Sequence, residues 1–367
     1  MKSNIYQNIK QSSTNKLAFI DVDNTLTANP WGTEEKDLLD AKLTNQAIAL
    51  LKKAGYCCIL NTSRTEEMCM SSKQYMLSKQ HYHFKRPAPQ IGMGNDGRRF
   101  YIKLEDFYPI NLLDLPIIIS SSGAKISVLQ NEEGYREDMD FYPPCFLSPK
   151  DWRKETMLWL SKIKSAFSFS YSPIESEDFF VSQKTDIFPP DYRIQLSFPS
   201  VHELIQFSME MKRQKPLFFL TNDSNPDKHS FILYITPKRG KFEAIEHVIS
   251  QLIESLLFKK EQDIEILFIG DSFPDFEAGI HNYTHFEAKK TVLLVGGSRL
   301  FSYLNDKNQN NFAGIDLTYI KKQLSPSQLS GYYTYTDTIT KNIQTVILGD
   351  LAFPKAIGPR SIIEFLS

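Results

Sequence analysis

Short unbroken apolar runs alternate along this chain with stretches whose apolar residues recur at helical spacing. Lys16-Leu-Ala-Phe-Ile20 is a run of the first kind and ends abruptly in Asp21-Val-Asp-Asn-Thr-Leu-Thr27. Such a run predicts a buried parallel strand with the polar residues at its carboxyl end. Leu43 to Ala54 then carries Leu43, Ala47, Ile48, Leu50 and Leu51 at helix spacing, with Gly55 as the stop and Thr44 as the expected cap. Tyr56-Cys-Cys-Ile-Leu60 is a second buried-strand run and leads into Asn61-Thr-Ser-Arg64. Strand, helix and strand with short links form a βαβ unit, which predicts a doubly wound, Rossmann-like parallel sheet.

The rhythm breaks from His81 to Pro116, where prolines cluster, and a strand and hairpin are expected over Ile117–Ile126. From about Val128 to Thr236 the pattern is mixed. Asp151 to Phe167 and Val201 to Met211 read as helices; Tyr192–Phe198, Leu217–Leu220 and Phe231–Ile235 read as strands. This predicts a smaller α+β domain with its own antiparallel sheet, inserted into the α/β core. The helix–strand alternation resumes with Lys241–Phe258 and Ile264–Ile269, followed by short strands at Thr291–Val295 and Thr345–Leu348. The expected division is a core of residues 1–127 and 237–367 with an insert at 128–236.

Charge narrows the choice of partners. Among 367 residues, 42 Lys plus Arg against 43 Asp plus Glu leave a formal net charge of −1. That lacks the broad positive field of a nucleic-acid-coating protein, so no nucleic-acid partner is expected. No apolar run approaches the roughly 18 residues that cross a bilayer, so no membrane association is expected either. The polar start, Met1 to Lys16, reads as a flexible lead-in without a secretory signal. The four cysteines, Cys57, Cys58, Cys69 and Cys145, read as reduced thiols of a cytoplasmic protein.

Two acidic termini carry the chemistry. Asp21 and Asp23 follow one apolar strand; Gly270-Asp271 and Asp275 follow another. An isolated D-x-D reads most simply as two solvated turn aspartates. In a doubly wound sheet, however, adjacent strands open into one crevice, where four carboxylates repel one another unless a cation sits among them. Mg²⁺, a hard ion that takes carboxylates, water and phosphate oxygens, fits that set. Other signals are set aside. Gly92-Met-Gly-Asn-Asp-Gly97 lacks the strand–turn–helix setting of a dinucleotide loop, since Arg98–Lys103 reads as a strand. His81, His83 and Cys69 match no standard zinc spacing, and Lys85-Arg86 and Arg98-Arg99 read as solvated loop charges.

Asp21-Val-Asp-Asn-Thr25 resembles the first motif, D-x-D-x-T, of the haloacid dehalogenase-like phosphohydrolase superfamily. Thr62 is similar to its second motif, a Ser or Thr closing a strand, and Lys241 to its third, a lysine opening a helix. Lys238 is a rival for that place, and Lys241 is preferred because the helical pattern begins directly after it. Gly270-Asp-Ser-x-x-Asp275 matches the acidic fourth motif. The four occur in the family's order across residues 16–126 and 238–300.

The resemblance implies a Mg²⁺-dependent phosphatase acting on a phosphomonoester, a sugar phosphate or similar small metabolite, through an aspartyl-phosphate. It implies Asp21 as nucleophile, Asp23 as general acid–base, and Thr62 and Lys241 on the phosphoryl oxygens. Asp21, Asp271, Asp275 and the backbone carbonyl of Asp23 would hold the metal, and the neighbouring Asn24, Ser63 and Arg64 would contact substrate. An insert between Thr62 and Lys241 resembles the large α/β cap of the sucrose-phosphate phosphatase and phosphomannomutase branch. A phosphomutase, or a catalytically silent binding protein on the same scaffold, is the alternative.

Overall fold

The buried runs of the sequence lie side by side in one large mixed sheet. The computed structural model describes residues 5–9, 15–26, 34–64, 66, 69, 91–93, 99–101, 115–130, 134–142, 149–171, 192–214, 218–224, 229–237, 240–255, 263–283, 285–298, 300–306, 308–312 and 314–367. The main-sheet strands before the insert are β1 (Lys16–Ile20), β2 (Cys57–Asn61), β3 (Ile117–Ser120), β4 (Lys125–Gln130) and β5 (Gly134–Glu137). A second sheet holds β6 (Ser170–Tyr171), β7 (Ile194–Phe198), β8 (Phe219–Asn222) and β9 (Phe231–Thr236). The main sheet resumes with β10 (Ile264–Gly270), β11 (Ala288–Leu294), β12 (Leu324–Pro326), β13 (Tyr332–Thr336) and β14 (Ile343–Leu348). Its spatial order is β12-β13-β14-β11-β10-β1-β2-β3-β4-β5.

The central strands from β14 to β3 are all parallel, and antiparallel strands flank them on both sides. Among the parallel strands, chain order runs outward from β1 through β2 and β3 and, the other way, from β10 through β11 and β14. The β1–β10 pair is the topological switch point, where an open α/β sheet forms its crevice.

Helices cover both faces. On one, α1 (Glu34–Lys53) places Ala47, Ile48 and Leu51 in a cluster with Ile20, Cys58, Leu60 and Ile269. On the other, Phe19, Ile59 and Phe268 meet Ala244, Ile245 and Val248 of a helix over Gly240–Glu254 and Phe276 of one over Phe273–Ile280. Cys57 and Cys58 thus belong to opposite faces, as a strand requires, and burial pushes both thiols up to about 12.

The second sheet is antiparallel, in the order β8-β9-β7-β6. Along β7 buried and half-buried residues alternate, the pattern of a strand with one covered face. Helices α2 (Pro149–Ile163) and α3 (Val201–Gln214) accompany it; the two helices that pack on the main sheet are α4 (Gly240–Glu254) and α5 (Phe273–Ile280). Its inward residues Ile194, Leu196, Leu233 and Ile235 join the same apolar cluster as α4.

Three expectations are corrected. The main sheet continues through β4 and β5 to Glu137, so a boundary at 128 falls inside a strand. The hairpin expected over Ile117–Ile126 is present, β3 pairing antiparallel with β4; it is the further pairing of β4 with β5 that local pattern left unmarked. The polar lead-in is anchored: Ile5, Tyr6 and Ile9 are buried in the core, and the Tyr6 hydroxyl donates to Asp138 at 2.7 Å. Thr44 caps nothing. It lies inside α1 and donates its hydroxyl to the Leu26 carbonyl. Ile91–Met93 pairs antiparallel with Arg99–Tyr101, a strand after the glycine run rather than a helix. His81, His83, Lys85, Arg86, Arg98, Cys145 and Lys238 lie outside the described residues. Among the described residues no helix is long and apolar enough to cross a membrane.

Candidate active site

Both acidic termini emerge at the switch point. The amide of Asp21 donates to the Ile269 carbonyl at 2.9 Å, so β1 and β10 stay paired to their ends and deliver Asp21 and Asp271 into one crevice. Asp275 comes from the first turn of α5. Its approach depends on Gly270, where an added Cβ would lie 2.3 Å from the Asp275 side chain. Ser272 fixes that side chain, its hydroxyl donating to Asp275 Oδ2 at 2.7 Å and its amide to the same oxygen at 3.3 Å. Carboxylate oxygens of Asp21, Asp271 and Asp275 all lie within 4.8 Å of one another, and all three residues are buried.

Lys241 enters from the opening turn of α4. Its ammonium donates to Asp21 Oδ1 at 3.2 Å and to Asp275 Oδ1 at 2.5 Å, and it is buried with them. Burial pushes the Asp21 carboxyl well up; Lys241 opposes this, while Asp275, Asp271 and Asp23 push it further. Lys241 moves upward too. Burial alone would lower it, but Asp21 and Asp275 outweigh that and keep it an ammonium.

Asp23 stands apart. Its side chain is not among the three clustered carboxylates, and it accepts a two-pronged grip from Arg64: Nε to Oδ2 at 2.8 Å and Nη2 to Oδ1 at 2.5 Å. Thr62, fully buried, follows β2, and its hydroxyl oxygen accepts from the Arg64 amide at 3.2 Å, leaving its own proton to donate. Asn24 takes a left-handed backbone (φ 56°), which suits Asn, and donates to Asp271 Oδ2 at 3.1 Å.

The expected site residues are thus brought together at one end of the sheet. Two of the three expected substrate contacts have protein partners here: Asn24 is on Asp271 and Arg64 on Asp23. The carbonyl of the third, Ser63, accepts from Arg193 of the second sheet's layer.

Sequence reading missed several supports. Ser298 donates its hydroxyl to the Asp271 carbonyl at 2.7 Å, which fixes the loop after β10. Gly123 (φ 91°) packs against the start of α4 so closely that a Cβ would lie 2.1 Å from the Gly240 carbonyl. Neither belongs to a recognisable spacing. Only the Gly-Ala after two serines hints at the turn.

The fold and site define a doubly wound α/β protein with a buried cluster of three carboxylates and a lysine at its switch point. No family model matches the chain, and no curated protein matches it. It is similar to solved structures of haloacid dehalogenase-like hydrolases. One is the sucrose-phosphatase from Synechocystis sp. PCC6803 in complex with sucrose and phosphate, at 15% identity over 82% of this chain and 94% of that one, TM-score 0.42. Another is a haloacid dehalogenase-like hydrolase from Bacteroides thetaiotaomicron, at 13% identity over 76% and 88%, TM-score 0.41. With identity and TM-score this low, the likeness fixes neither activity nor substrate.

Proposed function

We propose that this chain is a Mg²⁺-dependent phosphatase that hydrolyses a phosphomonoester of a small polar metabolite. The observation that carries the reading is the Asp21–Asp271–Asp275 cluster with Lys241 inside it. Three carboxylates and one ammonium sum to a formal −2 in a buried site, a set of hard oxygen donors that suits a divalent cation. Asp21, Asp271 and Asp275 would hold Mg²⁺, which when bound offsets charge on the phosphoryl oxygens and keeps Asp21 ionised.

Asp21 then attacks phosphorus through its carboxylate oxygen, and the ester oxygen leaves. Lys241 and the Thr62 hydroxyl face the negative charge that builds on the other phosphoryl oxygens. Asp23 gives the leaving oxygen a proton, then takes one from the water that cleaves the aspartyl-phosphate. With both its oxygens on Arg64, Asp23 is arranged as the base; proton donation requires one of those bonds to yield.

The α/β layer inserted between Thr62 and Lys241 is proposed to read the non-reacting part of the substrate and to exclude water. A panel of phosphorylated metabolites, assayed for inorganic phosphate with Mg²⁺ present, tests the reading. Phosphate release that chelator abolishes and Mg²⁺ restores is expected. Isomerised product without phosphate would make the chain a mutase, and no turnover of any phosphoester would overturn the proposal.

A further inference from the structure

Arg193 stands directly before β7 in the second layer, yet its side chain reaches the loop that follows β2 in the main sheet. Nη1 donates to the Ser63 carbonyl at 2.6 Å. The guanidinium lies over the ring of Tyr234 in β9, 4.8 Å from its centre. Arg193's own carbonyl accepts from Nη1 of Arg153, in α2, at 2.6 Å. Both arginines are buried. A buried guanidinium stacked on an aromatic face and bound to a carbonyl has few orientations left, so it holds that carbonyl in place.

The carbonyl it holds sits between the two residues that matter most in this loop. On one side, the Thr62 hydroxyl is tied to the Arg64 amide; on the other, Arg64 grips both oxygens of Asp23. The same loop is braced from β3's end, where the amides of Ser121 and Ser122 donate to the Arg64 and Thr62 carbonyls at 2.6 and 3.1 Å. Displacing Ser63 therefore displaces Thr62 and Arg64 together. A contact chain runs without a gap from α2 through Arg153, Arg193, Ser63 and Arg64 to Asp23.

We propose that Arg193 is a positioning residue through which the second layer sets the geometry of the Thr62–Arg64 loop and, by way of Arg64, of Asp23. Only the kinetic arm of its test rests on the phosphatase reading. The layer thus acts on the chemical step as well as on substrate recognition. Even a substrate too small to touch the layer should feel the loss of Arg193.

The test uses the full chain with Mg²⁺ and para-nitrophenyl phosphate, comparing wild type, Arg193→Met, Arg193→Lys, Arg64→Met and the Arg193→Met/Arg64→Met double variant. Arg193→Met should lower kcat about tenfold with KM nearly unchanged, since small misplacements of catalytic groups cost this much or more. Arg193→Lys keeps one donor and should recover part of the loss, and it serves if the Met variant folds poorly. In the Arg64→Met background, Arg193→Met should cost nothing further, because the two act in series. Losses that multiply, or a change confined to KM, would overturn the proposal. Hydrogen exchange over residues 57–64 supplies a readout without turnover: it should quicken in Arg193→Met while Ile264–Gly270 stays protected. Unchanged exchange in a folded variant overturns the proposal too. A wild type that hydrolyses no phosphoester overturns the phosphatase reading instead, and the exchange result still decides about Arg193.

Discussion

At Asp21 the proposed mechanism asks one carboxylate to be both buried and ionised as the nucleophile. Burial favours the neutral acid, and Lys241 opposes it without overturning it; a bound divalent cation, as proposed, would tip Asp21 to the carboxylate. Two outcomes follow at this scale. Asp21→Asn should leave no turnover and no covalent phosphoenzyme when the protein is quenched during aryl phosphate hydrolysis. Asp23→Asn should lose roughly 10²–10⁴-fold in rate and still form phosphoenzyme, because the nucleophile remains. The metal set has a readout of its own. Mg²⁺ at a hundredfold excess over Kd should raise the unfolding free energy by about 2.7 kcal/mol, seen as a higher melting temperature. Asp271→Asn should remove that rise. A wild-type melt that does not respond to Mg²⁺ would contradict the metal assignment.

Elements are held in register by a few buried polar knots. The first segment, the turn after β5 and α4 meet at Asp138, which accepts from Tyr6 at 2.7 Å and shares a hydrogen bond with His247 at 2.9 Å. Burial by itself raises the Asp138 carboxyl. Hydrogen bonds from His247 and Tyr6, the charge of His247 and the Asp140 amide outweigh it and leave Asp138 below its ordinary value. A carboxyl lowered by folding stabilises above its unfolded value, about 3.9, and loses that contribution as pH falls through the folded value. Asp138→Asn should therefore cost stability at neutral pH by an amount that shrinks in acid, read from urea melts across pH. Tyr6→Phe should cost about 1–3 kcal/mol, by leaving the buried carboxylate short of a donor. Gly123→Ala tests the contact of β3's end with α4. With φ at 91° and a Cβ driven to 2.1 Å from the Gly240 carbonyl, α4 must shift and carry Lys241 with it. Both melting temperature and turnover should fall.

Across the molecule, two sheets share one apolar cluster. Ile194 and Leu233 of the second sheet belong with Val248 of α4 and Phe268 of β10 rather than to a core of their own. Unfolding in urea should accordingly be a single transition. Tryptophan fluorescence, which includes Trp152 and Trp159 in α2, and far-ultraviolet circular dichroism should trace the same curve. Separated midpoints would mean that the second layer folds on its own.

Much of this was legible in the chain. The apolar runs of β1, β2, β3 and β10 showed themselves because strands buried on both faces are almost wholly apolar, Glu265 near the start of β10 being half-buried. The acids stood out because each follows such a run directly. Asp21 and Asp271 could be chosen for that reason; Thr62 and Lys241 came from the resemblance to the ordered motifs, Lys241 over Lys238 because a helix begins there. What the chain could not show was who meets whom. Asn24 and Arg64 look like loop residues free for substrate, and only folding puts them on Asp271 and Asp23. Ser298 and Arg193 are ordinary residues in local pattern, brought to the site from 27 and 130 positions away from their partners. The anchoring of Tyr6 and the edge strand β5 escaped for the same reason. Periodicity records whether a residue will be buried; the partner that satisfies its polar atoms comes from elsewhere in the chain, and only the tertiary structure chooses it.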